Sequence, residues 1–392
     1  MNEGPQRIHG LDRHATVLPG QWLYLFGDGG VIYSDTKSRF AGLDAKGVSA
    51  YLAFEAGASV RDLRRFDGNQ GSTESGGGLE QIYALTQGVF PEEEPANDWP
   101  ASDDEASADL RNGTKVSRRE AVEIAGIPVS LEYPAGDLES LCRDYFRNCP
   151  PATDPPRCHV SALCCRNRWA VYVNGREFLS PQNEEQLGLG LMHAARAMLY
   201  AEAHYDVAFH ASVVAHEDRA VLLCAPREFG KSTLAAYLSA HGFDLLADEP
   251  ALLHLDSCAL SSFPLPISIK EGSWPSLQQE LPQFSCGPVH FRSDGVRILL
   301  AHSPLKRRAG QARLSQIIFP NYDPSSPANV ERLSPLRTLE LLNDGGMLMA
   351  KNLGRDKFED LLVLLCQIPA HRIRYASLQE AWRLLLSCAM RD

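Results

Sequence analysis

The chain has 392 residues, 44% of them hydrophobic and 22% charged, with a formal net charge of −11 at pH 7. That length provides for two or three domains with at least one sizeable core, and the acidic balance is the opposite of a nucleic-acid footprint. The start, Met1-Asn2-Glu3-Gly4-Pro5, has no basic head before an apolar block, and no apolar run is long enough to span a bilayer, so a soluble cytoplasmic protein is expected.

The one short basic cluster, Lys306-Arg307-Arg308, reads as a solvated loop. Ten cysteines without regular spacing, in a chain with no export signal, read as reduced thiols. Cys158-His159 with Cys164-Cys165 is the one dense group; adjacent cysteines make an awkward tetrahedral chelate and a second half-site is missing, so no metal centre is expected there.

Residues from about 18 to 90 form a first unit. Trp22 to Phe26, a Gly27-Asp28-Gly29-Gly30 turn and Val31 to Tyr33 read as a β-hairpin. Leu43, Val48, Tyr51, Leu52 and Phe54 suit an amphipathic helix that Gly57 ends; Ser59 then caps a second, with Val60, Leu63 and Phe66 on its inner face. The result is a small winged-helix-like module. The hairpin, Tyr33-Ser34 before a turn, and the helices around Gly47 to Leu52 and Ala58 to Leu63 resemble the PqqD-like family, domains that recognise the leader of a ribosomally made peptide. The resemblance implies a peptide or protein partner that adds as a strand to the sheet edge. The same elements also suit a plain packing or dimerisation module.

Asp67 to Gly78 reads as a flexible loop before a short helix, Leu79 to Thr86. Residues from about 90 to 118, rich in acid and Pro (Pro91-Glu92-Glu93-Glu94-Pro95, Asp103-Asp104-Glu105), read as a linker. A lobe spans 119 to 206. Val122 to Leu131 reads as a broken strand, Leu138 to Phe146 as a helix, Arg168 to Phe178 as a hairpin through Asn174-Gly175, and Glu184 to Ala203 as a long helix.

From 207 to the end the chemistry concentrates. Phe209 to Ala215 reads as a strand, and the next, Ala220 to Cys224, feeds Ala225-Pro226-Arg227-Glu228-Phe229-Gly230-Lys231-Ser232-Thr233 and a helix ending at His241-Gly242. A phosphate loop needs converging backbone N–H groups, a helix N-terminus behind them and a Lys for the β- and γ-phosphates; Gly230, Lys231 and Ser232 meet that pattern. Ala225 stands where the motif G-x-x-x-x-G-K-[ST] asks for Gly, which needs a negative φ there, and Glu228 would bring a carboxylate close to a polyanion unless it turns away or pairs with Arg227. Phe243 to Ala247 is a buried strand ending in Asp248-Glu249, the place in an open α/β sheet for a cation site and a base.

The run from Phe209-His210-Ala211 through the loop to Asp248-Glu249 resembles the HPr kinase/phosphorylase fold, and more closely its HPr-kinase-related offshoot found beside PqqD-like proteins in peptide-modification and polysaccharide gene neighbourhoods. Phe263-Pro264-Leu265-Pro266-Ile267-Ser268-Ile269-Lys270 is similar to that family's Pro-rich segment ending in Lys, and Ala370 to Tyr375 to its C-terminal strand. The resemblance implies an α/β P-loop kinase core using ATP and Mg2+, with Ala225 to Thr233 cradling the nucleotide and Lys231 on its β/γ-phosphates. Ser232, Asp248 and Glu249 would serve the metal, with Asp248 also as the base, or as the acid in reverse. His210 would tune the acidic pair or be simply a hydrogen-bonded strand-end histidine. Lys270 would contact phosphate or acceptor, and Arg292, Arg297 or Arg313 would stabilise charge. Homo-oligomerisation is implied by the same analogy. The HPr kinase signature after the acidic pair is absent, which sets HPr aside as substrate. Three functions stay open: a kinase for Ser or Thr of a peptide, a degenerate scaffold, and a kinase for a small-molecule hydroxyl.

Overall fold

A computed structural model of the chain describes residues 6–8, 11–61, 63, 76–90, 117–165, 168–181, 183, 185–226, 229–263, 265–282, 289–291, 296–301 and 309–389. Strands β1 (Gln6–Ile8), β2 (Leu11–Ala15), β3 (Gln21–Phe26), β4 (Gly29–Ser34) and β5 (Arg39–Asp44) precede helices α1 (Ala45–Glu55) and α2 (Gly76–Thr86). After them come β6 (Ser117–Ile124), β7 (Ile127–Pro134), α3 (Asp137–Phe146), β8 (Cys158–Cys165), β9 (Arg168–Val173), β10 (Arg176–Leu179) and α4 (Glu185–Glu202). The next segment holds β11 (Val207–Phe209), β12 (Ala211–His216), β13 (Arg219–Cys224), α5 (Lys231–Ala240), β14 (Asp244–Asp248), β15 (Ala251–His254), β16 (Ala259–Ser261) and β17 (Ile267–Lys270). The chain ends through α6 (Trp274–Glu280), β18 (Val289–Phe291), β19 (Arg297–Ala301), β20 (Gln311–Tyr322), β21 (Asn329–Arg332), α7 (Pro335–Asp344), β22 (Met347–Met349), α8 (Arg355–Gln367), β23 (Ala370–Tyr375) and α9 (Leu378–Ala389). The protein is thus mixed α/β with several sheets. Among the described residues no helix is long and apolar enough to cross a membrane.

Two compact units form: Met1–Ala96 with Arg332–Asp344 and Leu348–Ala370, and Asn97–Glu331 with Gly345–Met347 and His371–Asp392. They cut the chain differently from the expected boundaries at 90, 118 and 206, because two late helices, α7 and α8, belong with the N-terminal unit. The expected linker lies almost wholly outside the described residues, as do residues 67–75 of the expected loop and the Lys306-Arg307-Arg308 cluster; the last three residues of that loop, Gly76 to Gly78, are instead the first turn of α2, which was expected to begin at Leu79.

In the first unit the expected hairpin is present, with Trp22 opposite Tyr33 and Gly27-Asp28 at its turn, inside an antiparallel sheet ordered β1-β2-β3-β4-β5. Asp44 caps α1 by accepting from the Gly47 N–H at 2.7 Å. Period-2 alternation sends Leu23 and Ile32 to one face, where they pack with Val48 and Tyr51 of α1 and Leu85 of α2. Tyr24 and Tyr33 go to the other face. There Phe358 of α8 stacks on Tyr33 with ring centroids 4.1 Å apart, and Glu359 accepts from Arg13 at 2.8 Å and from the Tyr24 hydroxyl at 3.0 Å. Both faces are covered, so every residue of β4 is buried. Leu52, expected inside, is 43% exposed, since α1 turns Gly47, Val48, Tyr51 and Phe54 inward. The helix expected from Ser59 lies partly outside the described residues.

The second unit carries an antiparallel-rich sheet ordered β10-β9-β8-β7-β6 and a larger one containing the run β14-β12-β13-β20-β16-β15-β11. The expected Asn174-Gly175 hairpin is present, both residues having positive φ. The broken strand over 122–131 is a hairpin, β6 and β7, and the Cys158-His159 pair opens β8, with Cys158 buried and His159 exposed. Seven described cysteines form no disulfide, and no group of three His, Cys, Asp or Glu side chains suited to a metal ion occurs among the described residues. Leu234, Leu238 and Phe243, Ile267, Ile373 and Leu385 form the core between the large sheet, α5 and α9.

Candidate functional site

The site is built at one end of the large sheet. β12 runs antiparallel to both β13 and β14, so β13 and β14 point the same way and their C-terminal ends lie together. An antiparallel strand therefore sits between the loop strand and the acid strand. It contributes a residue to the site: Ser212, fully buried, stands opposite Asp248 in the ladder, and its hydroxyl donates to Asp248 Oδ1 at 2.5 Å.

After β13 the chain turns through Ala225, Pro226, Phe229 and Gly230 into α5; Arg227 and Glu228 lie outside the described residues. Gly230 is the N-cap with φ 87 and ψ 12, a left-handed conformation that costs other residues about 1–2 kcal/mol. Ala225 is 1% exposed and is not among the described non-glycine residues of positive φ, so the turn tolerates its methyl. Lys231, 5% exposed, donates to Ala225 O at 2.7 Å and Pro226 O at 3.2 Å. Burial lowers its pKa, partly against the pull of Glu249 and Asp248. Lys270, the last residue of β17, stands close enough for its charge to oppose that of Lys231. The Ser232 hydroxyl donates to Asp248 Oδ1 at 3.1 Å, while Thr233 turns away to Ser273 at 2.8 Å.

Asp248 is 2% exposed, and burial, followed by the charge of Glu249, pushes its carboxyl above the ordinary value. Glu249 behaves oppositely. Burial opposes its charge, but the His210 hydrogen bond and the Arg196 charge hold it at about 2. His210 Nε2 lies 2.9 Å from Glu249 Oε1, and Arg196 Nη1 lies 3.8 Å from Oε2. Glu249 also keeps a positive φ of 47, a cost of about 1–3 kcal/mol that the surrounding contacts sustain.

The expected single strand over 209–215 is two strands, β11 and β12, that separate at His210 and join different parts of the sheet. That corner aims His210 at Glu249. Its N–H donates to Gly346 O at 3.2 Å, and a Cβ at Gly346, where φ is 91, would lie 3.1 Å from His210 Cβ. Ser232, Asp248, Glu249, Lys231 and His210 are thus brought together. Arg297 instead pairs with Glu271 at 2.6 Å, and Arg313, the third residue of β20, lies opposite Arg219, the first residue of β13, at the far end of that strand from the loop; Arg292 lies outside the described residues.

Arg196 and Ser212 were not singled out in the sequence. Arg196 lies on α4 among buried Met192, Ala194, Ala195 and Leu199, and donates to the Asp248 carbonyl at 3.4 Å. An arginine amid the apolar middle of this helix was the available signal, since such a charge is retained only with a partner. Ser212 had none, because a small polar residue in a buried strand is unremarkable until its neighbour is known.

The donor set of Ser232 hydroxyl and Asp248 carboxylate is hard oxygen and fits Mg2+. Glu249, expected on the metal, is paired with His210 and Arg196. No protein-family model matches the chain, and no curated protein matches it.

Proposed function

We propose that the chain is an ATP- and Mg2+-dependent phosphotransferase of the P-loop type that passes the γ-phosphate to a Ser or Thr hydroxyl of a peptide or protein. The observation that carries this reading is the meeting of Ser232, at the head of α5, with Asp248, at the end of β14, at 3.1 Å and beside Lys231. A helix N-terminus opened by a left-handed glycine favours anionic oxygens, and Lys231 would exchange the Ala225 and Pro226 carbonyls for them.

A divalent cation held by Ser232 and Asp248 would neutralise charge between phosphate oxygens. Asp248, its proton affinity raised by burial, takes the proton of the attacking hydroxyl; the acceptor oxygen bonds to the γ-phosphorus as the bond to the β–γ bridging oxygen breaks, and ADP leaves. Glu249 stays ionised between His210 and Arg196 and keeps Asp248 basic. A peptide acceptor is favoured by the N-terminal sheet, in which β5 pairs with β4 alone among the described strands and so offers an edge.

Calorimetry with MgATP, followed by phosphate transfer to a panel of Ser/Thr peptides, tests the reading. Wild-type protein should bind and transfer, Lys231→Ala should lose binding, and Asp248→Asn should bind but not transfer. Absence of MgATP binding by the wild type would sink it and favour the scaffold.

A further inference from the structure

The head of α5 has two chemically different flanks. On the β14 side stand Ser232 and Asp248. On the other side of β13 lies β20, parallel to it with Leu223 opposite Ile318, so that Tyr322 at the end of β20 stands past the end of β13. A Cβ placed on Gly230 would come within 3.8 Å of Tyr322 Cβ. This flank is aromatic. Tyr322 is 48% exposed and Phe229, next to Gly230 in the loop, is 41% exposed, an unusual degree of exposure for two large rings beside one turn.

Tyr375 at the end of β23 completes the flank. It is 1% exposed, and its ring centroid lies 5.9 Å from that of Tyr322. Its hydroxyl is 3.1 Å from the Cβ position of Gly230 and has no hydrogen-bond partner among the described residues. A buried donor without an acceptor is costly, and the cost persists only where something else constrains the ring or a ligand relieves it.

We propose that this flank holds the nucleoside end of the ligand: a nucleobase stacks on the exposed Tyr322 and Phe229 rings, and the Tyr375 hydroxyl donates to a ligand oxygen beside Gly230. The proposal rests on the phosphotransfer reading for where the phosphates lie. It adds where the nucleoside of that donor sits, with the triphosphate laid across the loop from Tyr322 toward Asp248. Stacking on an exposed ring is tolerant of base identity, so adenine and guanine nucleotides should bind alike.

The test is calorimetric titration of the full chain with MgATP and, separately, magnesium inorganic triphosphate. Wild-type protein should prefer ATP at least about tenfold, and Tyr322→Ala should lower ATP affinity about tenfold while leaving triphosphate unchanged. Tyr322→Leu, which keeps apolar bulk but no π-face, should show the same split. Tyr375→Phe should weaken ATP severalfold without lowering the melting temperature of the free protein, since it removes a hydroxyl that has no partner there. Tyr322→Ala and Tyr322→Leu binding ATP as tightly as wild type would overturn the proposal while leaving the phosphotransfer reading standing. Failure of the wild type to bind either ligand would remove both.

Discussion

The Ser212 hydroxyl donates to Asp248 Oδ1 at 2.5 Å from the strand that separates the loop strand from the acid strand. Asp248 therefore receives two hydroxyls, one from this fixed neighbour and one from Ser232. Hydrogen bonds to the charged form favour it, so Ser212→Ala should raise the Asp248 pKa further. The acidic limb of the pH–rate profile should then move to higher pH, because the base must be deprotonated to act. An unmoved limb would show that Asp248 is not the titrating base.

Glu249 gives stability the opposite dependence on pH. Its folded pKa, about 2, lies below the reference 4.5, so its contribution is present above about 4.5 and is lost as pH falls from there toward 2. Glu249→Gln should destabilise the protein on the order of 1–3 kcal/mol at pH 7, with the difference shrinking over that acid window. Denaturant melts of both proteins at several pH values measure it. Asp248→Asn carries the reverse sign: with a raised folded pKa, the wild-type carboxyl loses stability as pH rises past its ordinary range, and the variant should gain on wild type at neutral pH.

Arg196 acts on both acids, since its charge lowers the pKa of each. Arg196→Gln should shift the acidic limb upward and cut phosphate transfer about a hundredfold, while MgATP affinity changes little. Loss of binding with an unchanged pH profile would mean that Arg196 serves the fold alone.

Phe358 should matter to the N-terminal unit more than its distance in sequence suggests. Phe358→Ala removes the ring stacked on Tyr33 and should cost that unit about 3–5 kcal/mol, seen as faster hydrogen exchange across β3 and β4. A fragment of residues 1–96, lacking α7 and α8, should fail to fold on its own, because Tyr24 and Tyr33 lose their cover.

Much of the local structure was legible. The Gly27-Asp28 and Asn174-Gly175 turns, the strand–loop–helix around Gly230 and the acidic end of β14 all follow from period and turn chemistry, which operate over a few residues. The break at His210 was not legible. Val207 to Ala215 reads as one mostly apolar run despite His210 and Ser212, and only pairing with β15 on one side and β13 on the other shows where one strand ends and the next begins. Among the three arginines named for charge stabilisation, strand register placed Arg313 at the wrong end of the sheet, while α4, with no motif of its own, supplied Arg196.

For the loop from Ala225 to Thr233, the sequence by itself determined that a glycine precedes a lysine and a hydroxyl at a helix start, since only glycine takes φ 87 without strain beside Tyr375. Tertiary structure alone decided what that start faces. Residues 196, 212, 232 and 248 converge through long-range strand pairing and helix packing, and such contacts depend on which surfaces bury one another, a property no window of neighbouring residues contains.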